Sequence, residues 1–187
     1  MNKYHSEYML SSKTLTLRTP TLEDADALIT QMNTIDSETK FLAREPGEFD
    51  LTREQEQAFI KRSLENPNGL FIVGEVDGEI VANCSVGIIS QRQRYRHRAT
   101  LGIAVNKAYW HNGIGKRMMQ ISIDWCKEKG VEQLELDVVA ENERALALYQ
   151  SLGFKICGTK EHALKYGDHT YADEYFMILH LDATAAK

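Results

Sequence analysis

The stretch that most limits what this chain can fold into runs from "ATLGIAV" (99–105) through "WHNGIGK" (110–116) to "LELDVV" (134–139). It reads as a strand, a glycine loop, an amphipathic run of about fifteen residues and a second strand. A parallel strand pair needs a crossover of a dozen or more residues, usually a helix, and this link supplies both length and helix. The remaining signals favour antiparallel neighbours, so a mostly antiparallel sheet with one central crossover is expected.

The other segments fill in that sheet. "KTLTLRT" (13–19) alternates as a strand and is closed by Pro20. Residues 21–33 begin with Thr21 and early acids, as helices do, and residues 50–66 repeat the pattern from Thr52 until Pro67 stops it. Residues 69–89 are two strands around an Asp77-Gly78 turn, a strong hairpin signal. After the strands at 96–105 and 131–139, Ala145, Leu148, Tyr149 and Leu152 line one face of a short helix over 142–153. Two long strands around "KYGDH" complete the chain. The order β-α-α-β-β-β-α-β-α-β-β predicts an α/β (α+β) fold. Its mixed sheet of about six to seven strands is splayed at a central parallel pair and flanked by about four helices. One domain is expected over 13–181, with 1–12 and 182–187 as loose termini.

Composition narrows the function. A net charge of −5 argues against a general nucleic-acid binder. No apolar run approaches the roughly 18 residues that span a bilayer, and "MNKYHSEYML" lacks a signal-peptide core, so a cytoplasmic protein with no membrane partner is expected. Cys84, Cys126 and Cys157 are scattered without a CxxC pair and read as reduced core fillers. The six histidines show no HExxH or Cys/His spacing, so no metal site is expected.

Three readings compete for the glycine loop. A nucleotide P-loop fails, because Gly115-Lys116 as anchor puts Trp110 at the first glycine and Arg117 at the hydroxyl. A dinucleotide fingerprint fits Gly113 and Gly115 but meets Met118 at its third glycine, with Asp137 as the ribose acid. The third reading is a pyrophosphate cradle built from the amides of Gly113, Ile114, Gly115 and Lys116 at a helix N-terminus. Lys116 and Arg117 sit unfavourably in that first helical turn, and an anionic ligand gives them a reason to be there. Gly102, inside the preceding strand, suggests a bulge that frees backbone groups at Ile103, Ala104 and Val105 for an amide-bearing ligand. Tight turning alone would also explain two glycines.

"LGIAVNKAYWHNGIGKRMM" and "LELDVVAENERALALYQSLGF" together resemble the acetyl-CoA-binding core of the GNAT N-acetyltransferase superfamily. The family loop, Gln/Arg-x-x-Gly-x-Gly/Ala, is met except that Trp110 stands at its first position. The second signature, Asn-x-x-Ala-x-x-Leu-Tyr-x-x-x-Gly-Phe, is met by Asn142, Ala145, Leu148, Tyr149, Gly153 and Phe154. The resemblance implies that the backbone at Ile103 and Val105 pairs with pantetheine, that Asn142 helps hold it, and that the amides of His111, Asn112, Gly113, Ile114, Gly115 and Lys116 take the pyrophosphate. It also implies that Tyr149 donates a proton to the departing thiolate, a role for a phenol of ordinary pKa about 10. The ribosomal-protein alanine N-acetyltransferases carry a glutamate general base at the place of Asp137. Thr100 stands where many relatives place another base.

What the resemblance implies is direct acetyl transfer from acetyl-CoA to a primary amine, on a small molecule or a peptide N-terminus. A non-catalytic acyl-CoA-binding module is the alternative. The acceptor groove is expected between the early helices and the last hairpin, with Phe41, Glu45, Asp168 and Asp173 as an acidic, partly aromatic wall suited to a cationic amine. Arg92, Arg94, Arg96 and Arg98 alternate and read as one solvated strand face. Homodimers are common in such a family.

Overall fold

The computed structural model describes residues 4–10 and 12–181; the expected loose tail at 182–187 lies outside the described residues. In chain order the elements are β1 (His5–Leu10), β2 (Lys13–Arg18), α1 (Ala25–Glu38), α2 (Arg53–Glu65), β3 (Gly69–Val76), β4 (Glu79–Ile88) and β5 (Arg98–Val105). They continue as α3 (Ile114–Glu128), β6 (Gln133–Val139), α4 (Glu143–Ser151), β7 (Lys155–Lys165) and β8 (Tyr171–His180). The strands form one sheet of eight in the order β1-β2-β3-β4-β5-β6-β8-β7. β5 and β6 are parallel, and the other neighbours run antiparallel.

β1 corrects the expectation of a loose start. Tyr8 and Leu10 alternate with the exposed Glu7 and Met9, and both pack against the main core while β1 pairs with β2 from His5↔Arg18 to Leu10↔Lys13. Six residues with only a half-apolar face hid this strand from a periodicity reading. A second correction concerns the arginines: β5 begins at Arg98, and residues 92–96 form an exposed turn rather than a strand face. Helix α1 also runs further than expected, to Glu38, because its last turn carries the buried Asp36, which Arg44 holds through Nε at 2.8 Å and Nη2 at 3.0 Å.

Period-two alternation divides the apolar residues between two layers. Phe71 and Val73 of β3 join Leu28 of α1 and Ile60 of α2 on one face of the sheet. Ile72 of β3 turns to the other face, where Met118, Met119 and Cys126 of α3 pack with Leu134, Leu136 and Tyr149. Met118 and Met119 are fully buried, and each such side chain removed from water contributes roughly 1.5–3 kcal/mol. The Asp77-Gly78 turn forms as expected, with φ of 53° and 83° at its two central residues.

A buried amide relay fixes α1 to the strands that carry the site. Asn83 of β4 donates to Gln31 Oε1 at 2.6 Å, and Gln31 donates to Asn106 Oδ1, just past β5, at 3.1 Å. Such groups are tolerated in a core because each finds a partner.

Candidate active site

β5 and β6 stay paired for three residues only, Arg98↔Gln133, Ala99↔Leu134 and Thr100↔Glu135. β4 nevertheless follows β5 in unbroken register from Ile88↔Ala99 through Ser85↔Gly102 to Ala82↔Val105. On its far side β6 stays paired with β8 as far as Val139↔Glu174. The two strands therefore part after Thr100, leaving the facing edges of Leu101–Val105 and Leu136–Val139 without a strand partner. The expected bulge at Gly102 is absent from this register: divergence of the parallel pair opens the wedge by itself, in keeping with the twist between neighbouring strands.

A cavity of about 500 Å³ fills the wedge. It is lined by Ile103, Ala104 and Val105 from β5, by His111, Gly113, Ile114, Gly115 and Lys116 from the loop, and by Asp137, Asn142 and Tyr149. Of the residues expected to hold a cofactor, Asn112 alone is outside the lining; its Nδ2 donates to Trp110 O at 3.1 Å.

The loop geometry supplies free donors. Gly113 caps α3 with φ +75°, a left-handed conformation natural to glycine, and His111 shares it at φ 63°. Arg117 N is the first amide of the turn to find a partner, Gly113 O at 3.1 Å. Among the described residues, the amides of His111 to Lys116 donate to no backbone carbonyl. Those amides, at the positive end of α3, form an anion-binding terminus. Gly115 serves a different purpose: a Cβ there would stand 3.3 Å from Leu148 Cδ2, so glycine lets α4 lie close.

Two side chains of the loop depart from expectation. Arg117 turns to β1 and stacks its guanidinium over Tyr8, 4.3 Å from the ring centre, rather than toward the cavity. Trp110 bonds its indole Nε1 to Val105 O at 2.7 Å, so one backbone acceptor expected to meet pantetheine already has a partner. Asn142 caps α4 through Oδ1, accepting from Ala145 N at 3.2 Å, which leaves its amide nitrogen for the cavity.

Tyr149 is 8% exposed. Burial pushes its phenol up to about 12; nearby Cys84 adds to the rise, and the charge of Arg144 opposes it. Asp137 is the one carboxylate among the described lining residues, and Lys160 of β7 reaches its Oδ2 at 2.6 Å. Thr100 pairs with Glu135 at the closed end of the wedge and is not part of the lining. Cys84 and Cys126 are buried as expected, but Cys157 lies exposed on β7. Burial raises both buried thiols to about 12, which makes them unreactive.

Of the four residues expected to form an acidic, partly aromatic wall, Phe41 alone lines this cavity, while Glu45 lines a second cavity of about 560 Å³ between the loop after α1 and the end of β7. Ile35, Thr39 and Leu42 line the first cavity beside Phe41. Glu45 accepts from Gly167 N at 2.9 Å and, with Tyr166 Oη donating to Lys40 O at 3.0 Å, ties the loop after α1 to the β7–β8 turn. Asp168 accepts from Thr170 N and Oγ1 at 2.9 and 2.6 Å, and Asp173 accepts from His162 N at 2.8 Å. Asp168, a short acidic side chain in a turn, satisfies the amide two residues on, as such residues commonly do. Arg144, absent from the sequence reading, also lines the cavity. Its signal was a cation in the first turn of a helix, an electrostatically poor place.

The sequence profile described as the Acetyltransferase (GNAT) family matches residues 29–154, more than half of the chain. Over 119 residues the chain is 32% identical to the Escherichia coli L-amino acid N-acetyltransferase AaaT, covering 63% of this chain and 72% of that protein. Over 77 residues it is 36% identical to the Escherichia coli ribosomal protein bS18-alanine N-acetyltransferase, covering 41% of this chain and 52% of that protein. The crystal structure of an acetyltransferase of the GNAT family from Streptococcus pneumoniae superposes with a TM-score of 0.83 at 28% identity, over 89% of this chain and 99% of that one. The parted strands, the loop of free amides and the profile match agree: the chain belongs to the GNAT acetyltransferase family.

Proposed function

We propose that this protein transfers an acetyl group from acetyl-CoA directly to a primary amine, carried by a small molecule or a peptide N-terminus. The observation that carries the reading is the single cavity that joins the unpaired edge of β5, the free amides of His111–Lys116 and the side chains of Tyr149 and Asp137. The names of two relatives, an L-amino acid N-acetyltransferase and a ribosomal protein-alanine N-acetyltransferase, favour an α-amine as the acceptor class.

Acetyl-CoA supplies an acetyl group already activated as a thioester. The backbone of Ile103, the backbone N–H of Val105 and the side-chain amide of Asn142 hold the pantetheine arm in this reading. The loop amides and Lys116 hold the pyrophosphate, where the dipole of α3 favours negative charge. Asp137 takes the first ammonium proton, so that the neutral amine nitrogen can bond to the acetyl carbon; as the bond to sulfur breaks the nitrogen gives up its second proton to solvent, and CoA leaves as the thiolate. Tyr149 presents its phenol hydrogen to the sulfur that leaves. Burial raises the phenol further above the ordinary range of a thiol, so complete proton transfer to the thiolate is unfavourable. Tyr149 therefore acts chiefly as a hydrogen-bond donor to the developing thiolate, and stays protonated at any working pH.

The test is CoA thiol release across a panel of L-amino acids, an alanine-initiated peptide, a polyamine and an aminoglycoside. Release with an α-amine, and its loss in Tyr149→Phe, is expected. Acetyl-CoA binding without release from any member would favour the non-catalytic binding module instead. Thermal stabilisation by NAD and not by acetyl-CoA would overturn the cofactor assignment.

A further inference from the structure

Trp110 occupies the loop position where the family pattern has Gln or Arg, and a cation returns to this place from another element. Arg144, the second residue of α4, lays its guanidinium on the Trp110 ring, 3.0 Å from the ring centre. The indole cannot swing away, because its Nε1 is bonded to Val105 O at 2.7 Å. Arg144 lines the same cavity as His111, Gly113, Gly115 and Lys116.

Three features of Arg144 lack an explanation within the chain. Its Nη1 is buried and, among the described residues, has no hydrogen-bond partner. Native proteins rarely leave such a donor unsatisfied, least of all a charged one. Burial also pulls the guanidinium below its ordinary pKa, partly offset by Tyr149. Finally, a cation in the first turn of α4 opposes the helix dipole. An anion beside Nη1 would satisfy the donor and favour the charge that burial and dipole oppose.

We propose that Arg144, held against Trp110, is a binding residue for the pyrophosphate of acetyl-CoA and takes over the side-chain contact that Trp110 does not make. This rests on the acetyl-CoA reading above. The division of labour is specific. The loop amides give neutral donors, while Arg144 brings a planar charged fork from α4, so the anion bridges the two signature segments.

The experiment is equilibrium binding of acetyl-CoA and of 3′-dephospho-CoA, which keeps the pyrophosphate, to the wild type, Arg144→Gln and Arg144→Lys. Loss of one charge-assisted contact corresponds to weakening on the order of 10- to 100-fold. Arg144→Gln is expected to lose that much for both ligands, and inorganic pyrophosphate is expected to compete with acetyl-CoA far less well than on the wild type. Arg144→Lys keeps the charge without the fork and is expected to fall between; it also serves if Arg144→Gln does not fold. Wild-type affinity in both variants would overturn the proposal while leaving the acetyl-CoA reading intact. A penalty for acetyl-CoA that vanishes with 3′-dephospho-CoA would overturn it in favour of the 3′-phosphate. Failure of the wild type itself to bind acetyl-CoA would instead sink the acetyl-CoA reading.

Discussion

Arg98 and Glu135 close the wedge with a two-point ion pair, Nε to Oε1 at 2.5 Å and Nη2 to Oε2 at 2.8 Å, beside the last paired rung of β5 and β6. Glu135 is nearly buried, which by itself would raise its pKa, but the bonds from Arg98 and Gln133 prevail and hold it below the ordinary value. A carboxylate depressed in the folded state contributes stability that is present above its unfolded pKa, about 4.3, and is lost as pH falls through the lower folded value. Glu135→Gln is expected to cost about 1–3 kcal/mol near neutral pH, less than a fully buried pair because Arg98 reaches solvent. The gap between wild type and variant should close in acid. Chemical denaturation at several pH values reads this out, and a gap that widens below pH of about 4 would contradict the assignment.

The two loop glycines should separate in stability. Gly113 has open space around its missing Cβ but sits at φ +75°, so Gly113→Ala pays backbone strain of roughly 1–2 kcal/mol. Gly115 has no such strain, and its added Cβ would meet only the movable end of Leu148, so Gly115→Ala is expected within about 1 kcal/mol of wild type. Thermal unfolding of both variants decides it. A larger loss for Gly115→Ala would mean that α4 cannot shift to receive a methyl group.

The sequence made the crossover, its loop and the second signature segment legible because each depends on local chemistry: a turn needs glycine, a helix start needs a cap, and Asn142 and Tyr149 sit at fixed offsets on one short helix. Gly102 pointed to the right place through the wrong device, since parting of strands is a property of two elements and no single residue encodes it. The surroundings of the expected acidic wall were hidden for a related reason. Glu45, Asp168 and Asp173 look free in a sequence, yet their partners are backbone amides that only the fold brings near. Arg117 turns away from the cavity, and Arg144, absent from the sequence reading, lines it. The direction of a side chain at a helix start depends on what stands opposite, Tyr8 for one and Trp110 for the other.

Tyr149 fixes the shape of the pH profile. With its phenol pushed up to about 12, chiefly by burial, the protonated form persists across the accessible range. The rate kcat/KM should show no descending limb from this group up to about pH 10. A descending limb centred near 9 to 10 that disappears in Tyr149→Phe would show a phenol much more acidic than its burial implies.

Asp137 is the proton acceptor to test last, because Lys160 already reaches one of its oxygens at 2.6 Å. The pair is open to solvent, with side-chain exposures of 39% for Asp137 and 50% for Lys160, so the bridge is weak and exchangeable. An incoming ammonium can displace Lys160, or use the second carboxylate oxygen, for which no partner is found among the described residues. Asp137→Asn removes the base and keeps the shape, and is expected to lower kcat by about 10²- to 10⁴-fold with acetyl-CoA affinity unchanged. Lys160→Met should leave kcat within a few-fold of wild type, since it removes a competitor and not a participant. Steady-state kinetics with a saturating α-amine separates these outcomes. Wild-type kcat in Asp137→Asn would return the proton to solvent and leave Asp137 as the strand-end half of a surface ion pair.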